Sequence, residues 1–372
     1  MLWKLKRRYE CLRFLAVRLA AHFSNGGKFG SLPRSMETSI NIKEYKMIEA
    51  ENLRKVYRVN IKKAGLKGAF ENLFHTEWLE KAAVDGLTFR MEEGRALACI
   101  GENGAGKSTL IKMMIGILTP TEGEVRVFGQ NPRQGGRKYL REIGVVFGQK
   151  SNLWTDIPVI ESYRAVKTLY RLEESTFRRN FDRVVELLAL EELLSIPARK
   201  LSLGQRMRAD IGMVFLHEPK LLFLDEPTIG LDINVKHTIR TFLRKMNQET
   251  GTGIFLTSHD LDDIDEICDD ALVLSRGKLV YDGTLEQLKH RFVQDKMIQV
   301  VGKQESDIRK LLPLAKVTAE GRITKIVYPT GEYSSDEVIS AVSRSFHIED
   351  ITIQEPDIDE VVSRIFGGEE AV

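Results

Sequence analysis

Residues Gly101-Glu102-Asn103-Gly104-Ala105-Gly106-Lys107-Ser108-Thr109 constrain this chain more than any other stretch. They match GxxxxGK[ST], directly after the apolar run 97–100 and directly before the helix-forming run 110–118. Glycines let such a loop wrap a phosphate with backbone N–H groups, and the following helix points its positive end at the same place. Lys107 then reaches the β- and γ-phosphates, and the Ser108 hydroxyl is placed to hold Mg2+. The loop works only as a strand–turn–helix, so it commits the surrounding chain to an α/β fold.

A strand ending in acids accompanies it. Leu221, Leu222, Phe223 and Leu224 read as a buried strand that runs into Asp225 and Glu226. This is how a hydrophobic strand delivers a carboxylate to a bound metal, so Asp225 is expected to hold Mg2+, directly or through water. Glu226, one residue on, is placed to orient and polarise the water that attacks the γ-phosphate. About twenty residues earlier, Leu201-Ser202-Leu203-Gly204-Gln205 opens a helix expected to run to Leu216. Ser202 and Gly204 offer a hydroxyl and bare N–H groups at a helix N-terminus, a second anion site.

The phosphate loop, LSxGQ and the apolar strand ending Asp-Glu, in that order, resemble the nucleotide-binding domain of ABC transporter ATPases over residues 47–290. The resemblance implies a P-loop NTPase fold of the ABC type with an inserted helical subdomain, ATP and Mg2+ as cofactors, and ATP hydrolysis. It further implies a homodimer of ATPase subunits, each nucleotide lying between residues 101–109 of one copy and Ser202, Gly204 and Gln205 of the other. Tyr57 matches the aromatic that stacks on adenine. Gln149 matches the loop glutamine that contacts Mg2+ and the attacking water, and Gly230-Leu231-Asp232 matches the D-loop, which crosses to the second subunit. His259, after Thr257-Ser258, matches the switch histidine at the γ-phosphate. Glu102 stands where proline is common, but an acid there can point to solvent.

In finer detail, residues 147–154, 203–208 and 227–232 are similar to the ATPases of ABC-2 type exporters, a group that includes daunorubicin-resistance-like proteins. That likeness implies an ABC-2 type membrane permease as partner and a peripheral position on the cytoplasmic face of a bacterial cell membrane. Many members carry a small C-terminal domain. Trp154 and Pro158, just beyond Gln149, lie where the family receives the permease, although Trp154 could equally be core. Between Tyr57 and Val84 an insert places Phe70, Leu73, Phe74 and Trp78 on one helical face, facing the membrane or packing on its own sheet.

The flanking regions differ from this middle. Residues 1–46 form a basic extension, with eight Lys or Arg and one acid among the first thirty-five residues. It reads as a basic amphipathic segment on an anionic membrane surface, or as an upstream extension ahead of a start at Met36 or Met47. Residues 47–292 hold the ATPase domain, with strands near 47–59, 86–91, 221–224 and 253–257 in a largely parallel sheet covered by helices on both faces, and a helical subdomain at about 151–205. Residues 293–372 read as strand 297–301, helix 306–312, strands near Val317 and 323–328, helix 335–346 and strand 348–353, then a last helix from Ile358. That order predicts a small ferredoxin-like α+β domain.

The whole chain has 372 residues with 55 basic and 53 acidic side chains, a net +2, which argues against a protein built to coat nucleic acid. Cys11, Cys99 and Cys268 are too scattered for a zinc site or a disulfide framework. No apolar run approaches the roughly 18 residues of a spanning helix. A guanine-specific NKxD is absent after the phosphate loop. The rival classes are a soluble ABC-type ATPase acting on nucleic acid or ribosomes, against which the absence of a tandem domain or coiled-coil insertion counts, and a sensing or dimerising C-terminal module with the ATPase as its switch.

Overall fold

The structure is a computed structural model that describes residues 46–61, 77–148, 150–258, 260–292, 295–329 and 331–354. Strands β1 (Lys46–Ile61) and β2 (Glu77–Glu92) form a long antiparallel hairpin, followed by β3 (Ala96–Gly101), helix α1 (Lys107–Met114) and β4 (Glu122–Val127). Next come α2 (Gly136–Glu142), β5 (Ile143–Phe147), α3 (Val159–Tyr170), α4 (Glu174–Leu188) and α5 (Leu203–Phe215). The pattern continues through β6 (Leu221–Asp225), α6 (Ile233–Thr250), β7 (Gly253–Thr257), α7 (Leu261–Ile267), β8 (Asp270–Ser275), β9 (Lys278–Thr284) and α8 (Leu285–Phe292).

Six strands make the central sheet in the order β5-β6-β7-β3-β8-β9, parallel except for β9. A parallel sheet must be covered on both faces, which explains strands that are continuously apolar rather than alternating. In β6 Leu222 and Leu224 pack into one core while Leu221 and Phe223 pack into the other. Val184, Leu188, Ala209, Phe242 and Leu243 from α4, α5 and α6 cover the first face. The second face departs from the expected all-helical cover. There α1 supplies Leu110, Ile111 and Met114, and the antiparallel sheet β2-β1-β4 supplies Ile48, Leu53, Leu87, Phe89, Val125 and Val127. Those three strands alternate apolar and polar residues, so they can cover a core with one side and meet water with the other.

The helical stretch expected at 151–205 is two helices, α3 and α4, joined to α5 by two short 3-10 turns, Glu191–Leu193 and Ala198–Lys200. Tyr163 of α3 is fully buried and its hydroxyl donates to the Ala209 carbonyl of α5 at 2.8 Å, fastening α3 to α5. Cys99 and Cys268 are buried and free, and burial pushes the Cys99 thiol up to about 12. The third cysteine, Cys11, lies in residues 1–45, outside the described residues together with both readings of that extension. Met47, the later candidate start, is the second residue of β1.

The last described strands are β10 (Asp295–Gln304), β11 (Lys316–Glu320), β12 (Ile323–Pro329) and, after α9 (Ser335–Ser345), β13 (Phe346–Gln354). They form one antiparallel sheet ordered β11-β12-β10-β13, the ferredoxin-like order, around Ile298, Val300, Ile326, Tyr328, Val338 and Val342. Helix 306–312 is corrected to a single 3-10 turn, Ile308–Lys310. Pro313 disfavours the helical conformation of Leu312 and leaves no room for a second turn. The helix read at Trp78 is corrected too: Trp78 pairs with Asn60 in the hairpin, while Phe70, Leu73 and Phe74 lie outside the described residues, as does the helix from Ile358. Changing Tyr163→Phe removes one buried hydrogen bond and nothing else, and is expected to lower unfolding stability in urea by about 1–2 kcal/mol.

Candidate functional site

Because β6, β7 and β3 are neighbours, their C-terminal ends open onto one place, where open α/β sheets bind ligands. The Gly101–Thr109 segment leaves β3 there. Its turn closes on Gly106, which caps α1 at φ 107°, ψ 0°; a Cβ at that position would stand 2.2 Å from the Ala83 carbonyl oxygen of β2. No other residue fits both the dihedral and the gap. Glu102, Asn103, Gly104 and Ala105 form the bend between strand and helix, with Glu102 and Asn103 exposed and Ala105 buried. Lys107 is 5% exposed, and its Nζ donates to the Gly101 carbonyl and, at 3.2 Å, to the Glu102 carbonyl.

Asp225 ends β6 beside this loop. Its Oδ1 accepts from the Ser108 hydroxyl at 3.1 Å and from the Thr257 hydroxyl at 2.7 Å. Glu226 follows at φ 53°, a left-handed conformation that a non-glycine residue holds only where its surroundings fix it. Its N–H is shared between the Thr257 carbonyl, at 2.9 Å, and the Thr257 hydroxyl, at 3.2 Å. Its Oε1 lies 3.9 Å from Lys107 Nζ. Lys107, Ser108, Asp225 and Glu226 thus share one site, and Thr257, which in the sequence is marked only as a flank of His259, organises it.

Gln149 and His259 lie outside the described residues, but their neighbours are placed. Gly148 donates its N–H to the Asp225 carbonyl at 2.8 Å, and a Cβ there would meet the Glu226 carbonyl oxygen at 2.2 Å. Ser258 is buried at the end of β7. Downstream of residue 149, the buried carboxylate of Asp210 accepts the N–H groups of Asn152, at 2.7 Å, and Leu153, at 3.1 Å. Burial raises its pKa, partly offset by the Ser151 hydroxyl and these N–H groups. Nothing in the local sequence marks Asp210 as a loop anchor, because its partners lie more than fifty residues away.

Tyr57 sits opposite Lys81 in the β1–β2 ladder, two residues along β2 from the Ala83 that packs on Gly106. Tyr57 is 37% exposed. Ser202 and Gln205 cap α5 reciprocally: Gln205 N–H donates to Ser202 Oγ at 3.2 Å, and Ser202 N–H donates to Gln205 Oε1 at 3.0 Å. Gly204 is buried against Val235 of α6. Asp232 caps α6 by accepting from Val235 N–H at 3.0 Å. These two helix starts lie side by side and present Leu203, 38% exposed, and Ile233, 83% exposed.

A groove of about 350 Å³ lies near the strand that leads to residue 149, lined by Leu140, Val145, Trp154, Leu169, Tyr170 and His217. Trp154 and Leu169 are exposed, so Trp154 is not core. His217 stacks on Tyr170, with ring centroids 4.0 Å apart, and its Nε2 meets the Ile143 carbonyl at 3.0 Å. Burial pulls its pKa down to about 4, so the ring is neutral at pH 7.

A family model described as "ABC transporter" matches residues 84–229. The uncharacterized ABC transporter ATP-binding protein YhcH of Bacillus subtilis is 32% identical over 54% of this chain and 64% of its own length, a little under two thirds. The Nod factor export ATP-binding protein I of Ralstonia nicotianae is 32% identical over 65% of this chain and 75% of its own. The methionine import ATP-binding protein MetN of Helicobacter acinonychis is 29% identical over 86% of this chain and 90% of its own. Among solved structures, the ATP-binding subunit of an ABC transporter superposes with a TM-score of 0.55 at 27% identity, over 66% of this chain and 93% of that one.

Gly106→Ala forces a left-handed alanine against β2. Strain of about 1–3 kcal/mol in the loop is expected to weaken ATP binding by about tenfold or more, as read by titration with a fluorescent ATP analogue.

Proposed function

The chain belongs to the ATP-binding proteins of ABC transporters and carries their ATP-hydrolysing domain, and on that premise we propose that it drives an ABC-2 type exporter through a closed dimer of two copies. The observation that supports ATP hydrolysis between two copies is the meeting of Lys107, Ser108, Asp225 and Glu226 at the ends of β3 and β6, with the helix starts at Ser202 and Asp232 adjacent to each other and exposed; the exporter part rests on the likeness to the Nod factor export protein. Ser202 and Gln205 spend their N–H groups on capping each other, so it is the first-turn N–H groups of Leu203 and Gly204, with the exposed Leu203 side chain, that suit a surface meeting a second copy.

Lys107 lies folded on two loop carbonyls, and a triphosphate offers it stronger, charged acceptors at the same place. Tyr57 stacks on the base. Ser108 Oγ and Asp225 Oδ1 are hard oxygen donors of the kind Mg2+ takes, and they would hold that ion, which neutralises charge on the β- and γ-phosphates when bound. Glu226, held by Thr257 next to Asp225, orients and polarises the attacking water. Gln149 and His259 complete the γ-phosphate contacts, and Gly148 couples the backbone of the Gln149 segment to Glu226. Each site is divided between copies, so ATP binding favours closure and hydrolysis releases it.

The permease meets the groove at Trp154 and Leu169, whose exposed apolar surface stands beside β5. Among the described residues no helix is long and apolar enough to cross a membrane, which suits a peripheral subunit at the cytoplasmic face. Import is the second reading, favoured by the length over which MetN aligns, and the sidedness of ATP-driven transport in vesicles decides between the two.

Glu226→Gln should retain ATP binding while turnover falls at least about a hundredfold, a loss typical for a general base. ATP hydrolysis at the normal rate would remove Glu226 from the role given to it. Ser202→Arg should abolish hydrolysis and leave ATP binding by the separate subunit intact, since its own phosphate loop is untouched; full activity would contradict a site divided between copies.

A further inference from the structure

Outside the nucleotide contacts, a cluster of charges surrounds the buried Arg240, midway along α6. Each of its nitrogens has a different carboxylate: Nε donates to Asp263 Oδ1 at 2.6 Å, Nη1 to Glu266 Oε1 at 3.0 Å and Nη2 to Asp260 Oδ1 at 3.1 Å. Lys236, one turn earlier, donates to the second oxygen of Asp260. Arg240 is 7% exposed and Asp263 is fully buried. For attaching α6 to α7, these ion pairs are sufficient.

Asp263 does something more with its other oxygen. Oδ2 accepts from the Thr228 hydroxyl and, at 3.0 Å, from the Ser258 hydroxyl, both buried. Thr228 lies two residues after Glu226. Ser258 follows Thr257, the residue that holds Asp225 and takes the Glu226 N–H. Glu226 is therefore bracketed, by Thr257 at its own N–H and by Asp263 two residues on. A left-handed glutamate persists only when its surroundings over-determine it, and this bracket is part of those surroundings.

We propose that Asp263 is a positioning residue for hydrolysis: through Thr228 and Ser258 it fixes the segment carrying Glu226 against the end of β7, while Arg240 aims the carboxylate. The inference rests on the reading of Glu226 as the residue that polarises water. It predicts that the two hydroxyls matter for chemistry and not for nucleotide affinity, since neither is among the phosphate-loop residues.

The test uses steady-state ATP hydrolysis by the full chain. Thr228→Val keeps the shape and removes the hydroxyl, so kcat should fall about tenfold to a hundredfold through a displaced base, with KM for ATP held within about twofold. Thr228→Ser restores the hydroxyl and should recover most of kcat. Ser258→Ala should act in the same direction, and combining it with Thr228→Val should cost less than the product of the two, as expected for a shared acceptor. Turnover at the normal rate in Thr228→Val, a Thr228→Ser variant as slow as Thr228→Val, or a loss confined to KM overturns the proposal. Glu226→Gln measured alongside separates the two failures. If it stays active, the premise fails; if it is inactive while Thr228→Val and Ser258→Ala turn over normally, only the positioning role fails.

Discussion

Everything at this site depends on one carboxylate oxygen, Oδ1 of Asp225, which takes hydroxyl hydrogen bonds from Ser108 and Thr257. The two donors come from β7 and from the helix that follows β3, and both strands lie in the sheet with β6. Their meeting at one atom requires the three strands to end at the same level. Parallel strands buried on both faces do this well, because a slip of register would carry Asp225 into the apolar core or draw the fully buried Leu224 or Leu256 out toward the strand end. The hydrophobic cores on either side of the sheet therefore set the position of the chemistry, and the glycine turn at 106 and the left-handed Glu226 are local departures that those cores hold in place.

Contiguous signals were legible from the sequence and distributed ones were not. The phosphate loop, Ser202 with Gln205, and Asp225 with Glu226 each lie within a few residues and carry their chemistry in that spacing. Thr257 and Asp263 acquire meaning only through partners elsewhere in the chain: Thr228 and Asp263 are 35 residues apart in sequence, Ser108 and Asp225 117. Elements were misread where tertiary pairing or a local breaker overrode periodicity. Trp78 fits a helical face at 70, 74 and 78, yet its backbone pairs with Asn60, because extending the hairpin satisfies more hydrogen bonds than a lone turn of helix. The helix after the phosphate loop ends at Met114 rather than Leu118, since Gly116 takes φ 79° and closes it.

Charge has a local meaning as well. The net +2 of the chain is concentrated at its start, where residues 1–50 hold ten basic and four acidic side chains, so the remainder is acidic. On the function proposed here, phosphate affinity is assigned to backbone N–H groups, the start of α1 and Lys107, not to a basic surface. The same economy holds at Arg240, where a single guanidinium faces several carboxylates and the remaining lone pairs are met by hydroxyls. Removing one hydroxyl there leaves a buried charge less well satisfied, which links the rigidity of α6 and α7 to the geometry of Glu226.

The central claim is that ATP holds two copies of this chain together when it is not hydrolysed. The most direct measurement is the solution mass of the Glu226→Gln protein by analytical ultracentrifugation, with and without saturating ATP. A monomer is expected without nucleotide and twice that mass with ATP. A protein that binds ATP and remains at the monomer mass would contradict the claim.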